Sequence, residues 1–523
     1  MIRSLLLSAP LRKCGIAATL LACLLPAATI RADEPRPFEI RFVDAETGRG
    51  VPLVELKTVH HVPYVTDSAG RVAYDEPGRA GETMFFGVHA HGYRAPKDGF
   101  GIEGVRCKIE PGGKQEFELE RINVAERLYR VTGQDIYRDS LLLGHDVPIP
   151  EKSRSGMVAG QDSVFGVPYR DRLYWFWGDT ARLSYPLGLF RMAGATSPLP
   201  SESGLSSDDG VRLDYFVNEE GFARAMSELP DPKGVIWIDG VCVLPDESGR
   251  DRLVGHHSRR EGLGEQYEHG TSVYDDTREI FTKATDLPLD ETWRHLSAHP
   301  VRFEERGEKY VGSGLCFPVT RTKATLAAAL DPETFESFSC LPVDADPKTA
   351  APRRNADGKL DWRWQAGPPV TPEIEARFLK EGVVQPEELR FLPEDAANPG
   401  KRIEFHAGTV NWNPYRKRWV AIASQIARSG DAPSLLGETW YSEAPSPQGP
   451  FEKAVKIVTH DKQSFYNPCH HAFFDADEGR TIYFEGTYTN SFTAAAATPR
   501  YEYNQIMYRL NLDASALTNA FPR

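Results

Sequence analysis

The chain has no CxxC pair, no HExxH helix, no glycine-rich phosphate loop and no G-x-S-x-G elbow in its 523 residues. Those absences remove the zincin, kinase and serine-esterase readings. Cysteine is scarce, at seven, and two of the seven (Cys14, Cys23) fall in the first 25 positions. The remaining five (Cys107, Cys242, Cys316, Cys340, Cys469) are widely spaced and odd in number. They read as small buried thiols in strands, with Cys316–Cys340 the closest pair for any disulfide. Positive charge is also short, with 61 Lys and Arg against 74 Asp and Glu. An acidic surface repels phosphate backbones, so nucleic acid is not an expected partner. After residue 32 no apolar run reaches the length of a membrane span.

Residues 1–32 read as an export signal. Arg3, Arg12 and Lys13 flank the apolar run Gly15 to Leu25, and Ala27, Ala28 and Ala32 offer small residues for cleavage. Leu20-Leu21-Ala22-Cys23 resembles a lipoprotein box, with a lipid tether at Cys23 as the alternative to ordinary cleavage. Loss of Arg3, Arg12, Lys13 and Arg31 would take the net charge from −13 to −17. The expected location is periplasmic or secreted.

Beyond the signal the pattern is all-β. Residues 36–120 alternate apolar and polar positions in short runs separated by Gly, Pro, Asp and Asn, which predicts a small β-sandwich. FVDAETGRGVPLVEL, TDSAGRVAY and HGY resemble the carboxypeptidase regulatory-like (transthyretin-like) domain, which implies a binding or spacer module. Residues 121–155 read as a linker. From 156 to 523 one pattern recurs five times, a polar residue, an apolar strand, a polar turn and an aromatic strand: GQDSVFGVPYRDRLYWFWGDT, WIDGVCVLPDESGRDRLVGHHS, SAHPVRFEERGEKYVGSGL, AGTVNWNPYRKRWVAIASQ and CHHAFFDADEGRTIYFEGTYT. Repeats that bury their faces only against neighbours need ring closure, and five such hairpins predict a five-bladed β-propeller. YNQIMYRLNL is expected to close it. Two insertions, 196–233 and 341–400, carry the helix candidates EEGFARAMSEL, TPEIEARFLKEG and QPEELRFL.

Inner strands of a propeller line its axis, so polar residues at the strand starts converge there. In register these are Asp162, Asp239, His299, His406 and His470 or His471. Costly-to-desolvate groups recurring at one depth suggest a polar pocket. Asn411, Asn413 and Asn467 can hydrogen-bond hydroxyl groups, and Trp175, Trp177, Trp237 and Trp412 can stack on rings, as can Trp362 and Trp364 of the second insertion. Of these, His299, His406, Asn411, Asn467, His470 and Trp177 are the expected substrate contacts. His256-His257 and His470-His471 invite a metal, but adjacent strand residues point to opposite faces, so neither pair chelates one ion unaided. No metal ligand is assigned and no cofactor is required, with a structural Ca²⁺ left open.

The repeats, the first above all, resemble the five-bladed glycoside hydrolases of the arabinanase, β-xylosidase and furanosidase type (glycoside hydrolase family 43-like). That resemblance spans 156–512 and implies hydrolysis of a glycosidic bond of a polysaccharide or oligosaccharide by paired carboxyl groups. By position Asp162 matches the base and Asp239 the supporting aspartate. The third-blade glutamate that would serve as acid is replaced by His299. Glu485 is the first substitute, Glu438 the second and Asp179 the third. A non-catalytic carbohydrate-binding propeller, and a polysaccharide lyase using His299 or His470 as base, stay open as alternatives.

Overall fold

Apolar residues at every second position begin the N-terminal part. In Phe38–Asp44 the side chains of Phe38, Ile40 and Phe42 turn inward and are 4%, 0% and 0% exposed. This strand pairs antiparallel with Arg71–Tyr74 and parallel with Lys114–Arg121. A second four-stranded sheet, in the order Pro63–Val65, Glu55–Thr58, Thr83–His89, Gly104–Lys108, supplies Leu56, Phe86, Val88 and Cys107 to the same core. The two sheets share one core, in the manner of a sandwich. The computed structural model describes residues 36–150, 155–189, 191–229, 231, 233–428 and 432–522. The expected export signal, with Cys14 and Cys23, lies outside them.

The repeats lie in five mainly antiparallel sheets of four or five strands, two of them with a short parallel edge strand (Ser227–Glu228 and Glu394–Asp395), beside a three-stranded sheet of Val158–Gln161, Thr180–Arg182 and Tyr185–Leu189, and the chain is all-β apart from short helices. Their innermost strands are Phe165–Tyr169, Val235–Pro245, Val301–Glu305, Phe405–Asn413 and Ser464–His470. Hairpins form where the turn residues stand, for example Glu305 opposite Glu308 across Arg306 and Gly307, both with positive φ.

Packing makes the ring. Phe176 of the first sheet meets Ile238, Leu253 and Phe281 of the second. Leu244 and Val254 of the second meet Val311 of the third. Phe317 and Val319 beside the third meet Phe405, Ala421 and Trp440 of the fourth. Val420, Ile422 and Tyr441 meet Phe465, Phe484 and Tyr508 of the fifth. Leu128, Tyr483 and Met507 of the fifth return to Leu173, Trp175 and Trp177 of the first. Each such fully buried side chain contributes about 1.5–3 kcal/mol, so each sheet is held by two neighbours and none is an end. This cyclic order is that of a β-propeller.

The closing device differs from the expected one. Asn504–Asn511, within YNQIMYRLNL, is the third strand of the fifth sheet, and the outermost strand is Glu126–Arg130 from the segment read as a linker. The short charged run ERLYR carries no alternation, because all five residues are buried on both faces.

The insertions differ in outcome. Thr371 caps the helix Pro372–Lys380 by accepting from the Ile374 N–H, and Gln385 begins a 3₁₀ turn at Pro386–Glu388 through a capping box. EEGFARAMSEL forms no helix. Phe222, Ala223, Met226 and Leu229 mimic helical spacing, yet Asn218 accepts from the N–H groups of Glu220 and Phe222 and Gly221 takes a φ of 79°. That local turn outcompetes the helix. Trp362 and Trp364 pack on Phe338 and anchor the second insertion to the third sheet.

Candidate active site

Hydrogen bonds run along the inner strands from sheet to sheet. The Trp237 Nε1–H donates to Asp179 Oδ1 at 2.9 Å, joining second sheet to first. The Gly240 N–H donates to Ala298 O, and the Ala298 N–H donates back to Asp239 Oδ2, both at 3.0 Å, joining second to third. The Gly408 N–H donates to Leu315 O, the His470 N–H to Thr409 Oγ1, and the Ser163 N–H to Thr487 Oγ1. Gly240 has to be glycine. Its φ is 63°, and a Cβ there would lie 2.7 Å from the Leu296 carbonyl carbon. The bulge it makes sets the Asp239 carboxylate against the loop that ends in His299.

Asp162, Asp179, Asp239, His299 and Asn467 are spread along this seam. Asp162 precedes the first inner strand. Its Oδ1 accepts from the Asp179 N–H at 2.8 Å, its Oδ2 accepts from the Tyr466 hydroxyl at 2.9 Å, and Tyr503 also donates to it. Burial, and then the charge of Asp179, outweigh those donors and push the Asp162 carboxyl up to about 6. Burial also raises Asp179, against the Trp237 hydrogen bond. Trp237 and Asp239 stand two apart on one strand and share a face. The Asp239 side chain is 39% exposed and its Oδ1 lies 2.9 Å from His256 Nδ1. Burial would raise this carboxyl, but the bonds and charge of His256 and the Ala298 N–H together hold it below the ordinary range. Asn467, with φ 49°, donates to Ser163 Oγ at 2.8 Å.

His299 stacks obliquely on Phe165 and its Nδ1 lies 3.6 Å from Cys469 Sγ. Burial and then His471 lower it to about 4. It is therefore neutral near pH 7 and stores no proton to give there.

Several expected site residues lie elsewhere. Glu485 is fully buried, with Oε1 2.7 Å from His471 Nε2, so it is packed behind the imidazole and out of a substrate's reach. Glu438 is buried in the outer part of the fourth sheet, between Thr459 and Lys456. Neither can serve as the acid where it stands. The His470 side chain is buried between Asn411 and Asp475, with both ring nitrogens in use, so it joins the fourth sheet to the fifth. Asn411 is spent on the same joint. Trp177 is fully buried against Trp175 and Tyr215 and packs the first sheet instead of lining the axis. Asn413 braces a turn through Gly479 O and the Arg416 N–H, and Trp412 sits near that hairpin turn against Trp419. His406 starts the fourth inner strand, with Nδ1 buried and without a partner among the described residues.

Tyr466 and Tyr503 were not singled out in the sequence. Tyr466 adjoins Asn467 on the fifth inner strand, and a tyrosine beside a polar residue in strand register is the one signal that could have found it. Among the described residues two groups of side chains could hold a metal: His256, His269 and His295 beside Asp239, and His89, His91 and Asp461 where the sandwich meets the ring. The five described cysteines are free and buried. A cavity of about 380 Å³ lies away from the seam, lined by Gln134, Tyr137, Asp214 and Tyr215 among others.

No protein family and no curated protein matches the chain. Solved structures that resemble it include the endo-1,5-α-L-arabinanase of Thermotoga petrophila, at 12% identity and TM-score 0.34 over 69% of this chain and 73% of that one. Another is the α-L-arabinanase of Cellvibrio cellulosa, at 9% identity and TM-score 0.32 over 67% and 91%. A third is the exo-β-1,3-galactanase of Phanerochaete chrysosporium in complex with β-1,3-galactotriose, at 12% and 0.34 over 68% and 62%. At such values the reading of this chain rests on its own topology and residues.

Those residues provide one carboxyl that exchanges its proton near neutrality, just before the first inner strand, and one carboxylate held below the ordinary range, on the second. Such a division suits a reaction needing a proton donor and an anion in one cleft. Among the described residues no helix is long and apolar enough to cross a membrane.

Proposed function

We propose that the chain is an exported five-bladed glycoside hydrolase, with Asp162 and Asp239 as its two carboxyl groups. One observation carries this reading: the near-neutral Asp162 carboxyl stands on the inner rim next to the strand that presents the part-exposed Asp239 carboxylate. In this reading Asp162 gives its proton to the leaving oxygen as the glycosidic C–O bond breaks. The resemblance assigns Asp162 the base role; its proton affinity favours the donor role. Asp239 faces the positive charge that develops at the anomeric carbon, and water supplies the hydroxyl that ends there, its remaining proton returning to the Asp162 carboxylate. Asp179 tunes Asp162 by its charge, Tyr466 and Tyr503 donate to Asp162, and His256 bonds Asp239. A screen of residues 33–523 against polysaccharides and aryl glycosides tests this. We expect product with the native chain and a loss of about 10²–10⁴-fold in Asp162→Asn, with folding unchanged by circular dichroism. Full activity in that variant would overturn the mechanism.

The burial of both Glu485 and Glu438 favours a second reading, a propeller that binds carbohydrate without cleaving it. Glycan retention on an affinity gel with no product after prolonged incubation would select it.

A further inference from the structure

Three imidazoles come together beside Asp239, at a place the hydrolytic reading leaves unused. His256 is on the strand Asp251–Arg260, His269 on Gln266–Asp275, and His295 in the loop leading to the third sheet. They are 7%, 2% and 9% exposed. One ring nitrogen from each lies within 4.8 Å of the others. His256 and His295 stack at 3.9 Å, and His269 meets both edge-on.

The hydrogen bonds fix which nitrogens face inward. His269 Nε2 lies 2.7 Å from Pro288 O, and a carbonyl only accepts, so Nε2 carries the hydrogen and Nδ1 presents a lone pair. His295 Nδ1 donates to Leu296 O at 2.9 Å, which leaves Nε2 as a lone pair. His256 Nδ1 donates to Asp239 at 2.9 Å, and its Nε2 lies 3.0 Å from His269 Nδ1. Two of the outward nitrogens are held by backbone carbonyls and the third by a carboxylate. That is the outer arrangement histidine ligands show around a metal. A hydrogen on His256 Nε2 would satisfy the contact with His269 alone. A cation satisfies that contact and also engages His295 Nε2, which the hydrogen leaves out.

We propose that His256, His269 and His295 form a binding site for one first-row divalent transition ion of the zinc type, with Asp239 as the carboxylate that orients His256. Three neutral nitrogen donors suit Zn²⁺ and its neighbours in the series and not Ca²⁺ or Mg²⁺, which take oxygen. The fourth coordination position belongs to a water or hydroxyl oxygen. The site goes beyond the hydrolytic reading and does not depend on it, because metal content is measured without a substrate.

The test uses residues 33–523 carrying His89→Gln, which removes the other cluster, so that any stoichiometry belongs to the buried site. The protein is stripped with a chelator, titrated with Zn²⁺ alone and assayed by elemental analysis, and Co²⁺ is used for its visible spectrum. We expect one equivalent and an intense tetrahedral-type Co²⁺ band. Both should be weakened at least tenfold in His269→Gln and in His295→Gln, and unchanged in His257→Gln, whose ring points to the other face and meets Ser272. Circular dichroism of each stripped variant separates loss of binding from loss of fold. No binding at 100-fold excess Zn²⁺, or one equivalent surviving in both His269→Gln and His295→Gln, would overturn the site.

Discussion

Asp162 and Asp179 lean on one another through a backbone hydrogen bond and a shared burial, and the charge of one raises the other. Removing that charge should act on the partner. In Asp179→Asn the Asp162 carboxyl should titrate below about 6, and the limb along which activity falls as Asp162 loses its proton should move the same way. NMR titration of the aspartate carboxyl carbons reads this directly. An unmoved Asp162 would show that burial alone sets its affinity. Asp162, Asp239 and His299 are candidates from the sequence because each begins a repeat at the same register position. Glu485, Glu438, His470 and Trp177 were misread for one physical reason. A polar or aromatic residue in a strand has the same spacing whether it points to the axis, to the next sheet or to an outer edge, and only the packing of neighbouring sheets separates these cases.

The helix Pro372–Lys380 carries a buried acid, Glu375, whose oxygens accept from the N–H groups of Arg390 and Phe391. Burial raises this carboxyl to about 7 despite those donors. The folded chain therefore keeps a proton that the unfolded chain releases above about 4.3, and the group's contribution to stability falls as pH rises from there to about 7. Glu375→Gln should remove that slope. Relative to the native chain it should gain stability as pH rises through this window, by about 1.4 kcal/mol per pH unit, in thermal melts between pH 5 and 8. A difference independent of pH would refute the assignment. This helix was legible from the proline at its start in TPEIEARFLKEG. The strand Glu126–Arg130 was not, because burial on both faces erases alternation, and EEGFARAMSEL showed helical spacing that a local asparagine turn defeats.

At the scale of the molecule the sandwich and the ring are joined by more than a tether. Arg127 donates to His91 O, and the Tyr501 hydroxyl donates to Thr66 O. Leu53 and Val65 of the sandwich share a core with the fourth and fifth sheets. Two truncations separate the sandwich from the closing strand. A chain beginning at residue 122 loses the sandwich and keeps the strand, and a chain beginning at 131 loses both. The second should melt on the order of 10 °C lower than the first or fail to fold, because Leu128 and Tyr129, 0% and 1% exposed, are each worth about 1.5–3 kcal/mol. Equal melting temperatures would mean that the fifth sheet stands without its outer strand. The five repeats made the ring legible, and the turn residues placed its hairpins. Its closure was hidden, because nothing in a strand's composition names a partner at the far end of the chain.

That closure has a consequence in time. Arg130 pairs with Ile506, so the first strand of the ring to be synthesised waits for nearly the last. Until the C-terminal strands emerge, the buried faces of Leu128 and Tyr129 and the first sheet's Trp175 and Trp177 lack the partners they have in the finished ring. A nascent chain of this kind carries half-built apolar edges for most of its synthesis. The same long-range pairing that delays assembly then resists its reversal, since no sheet can peel away without opening a seam on both sides.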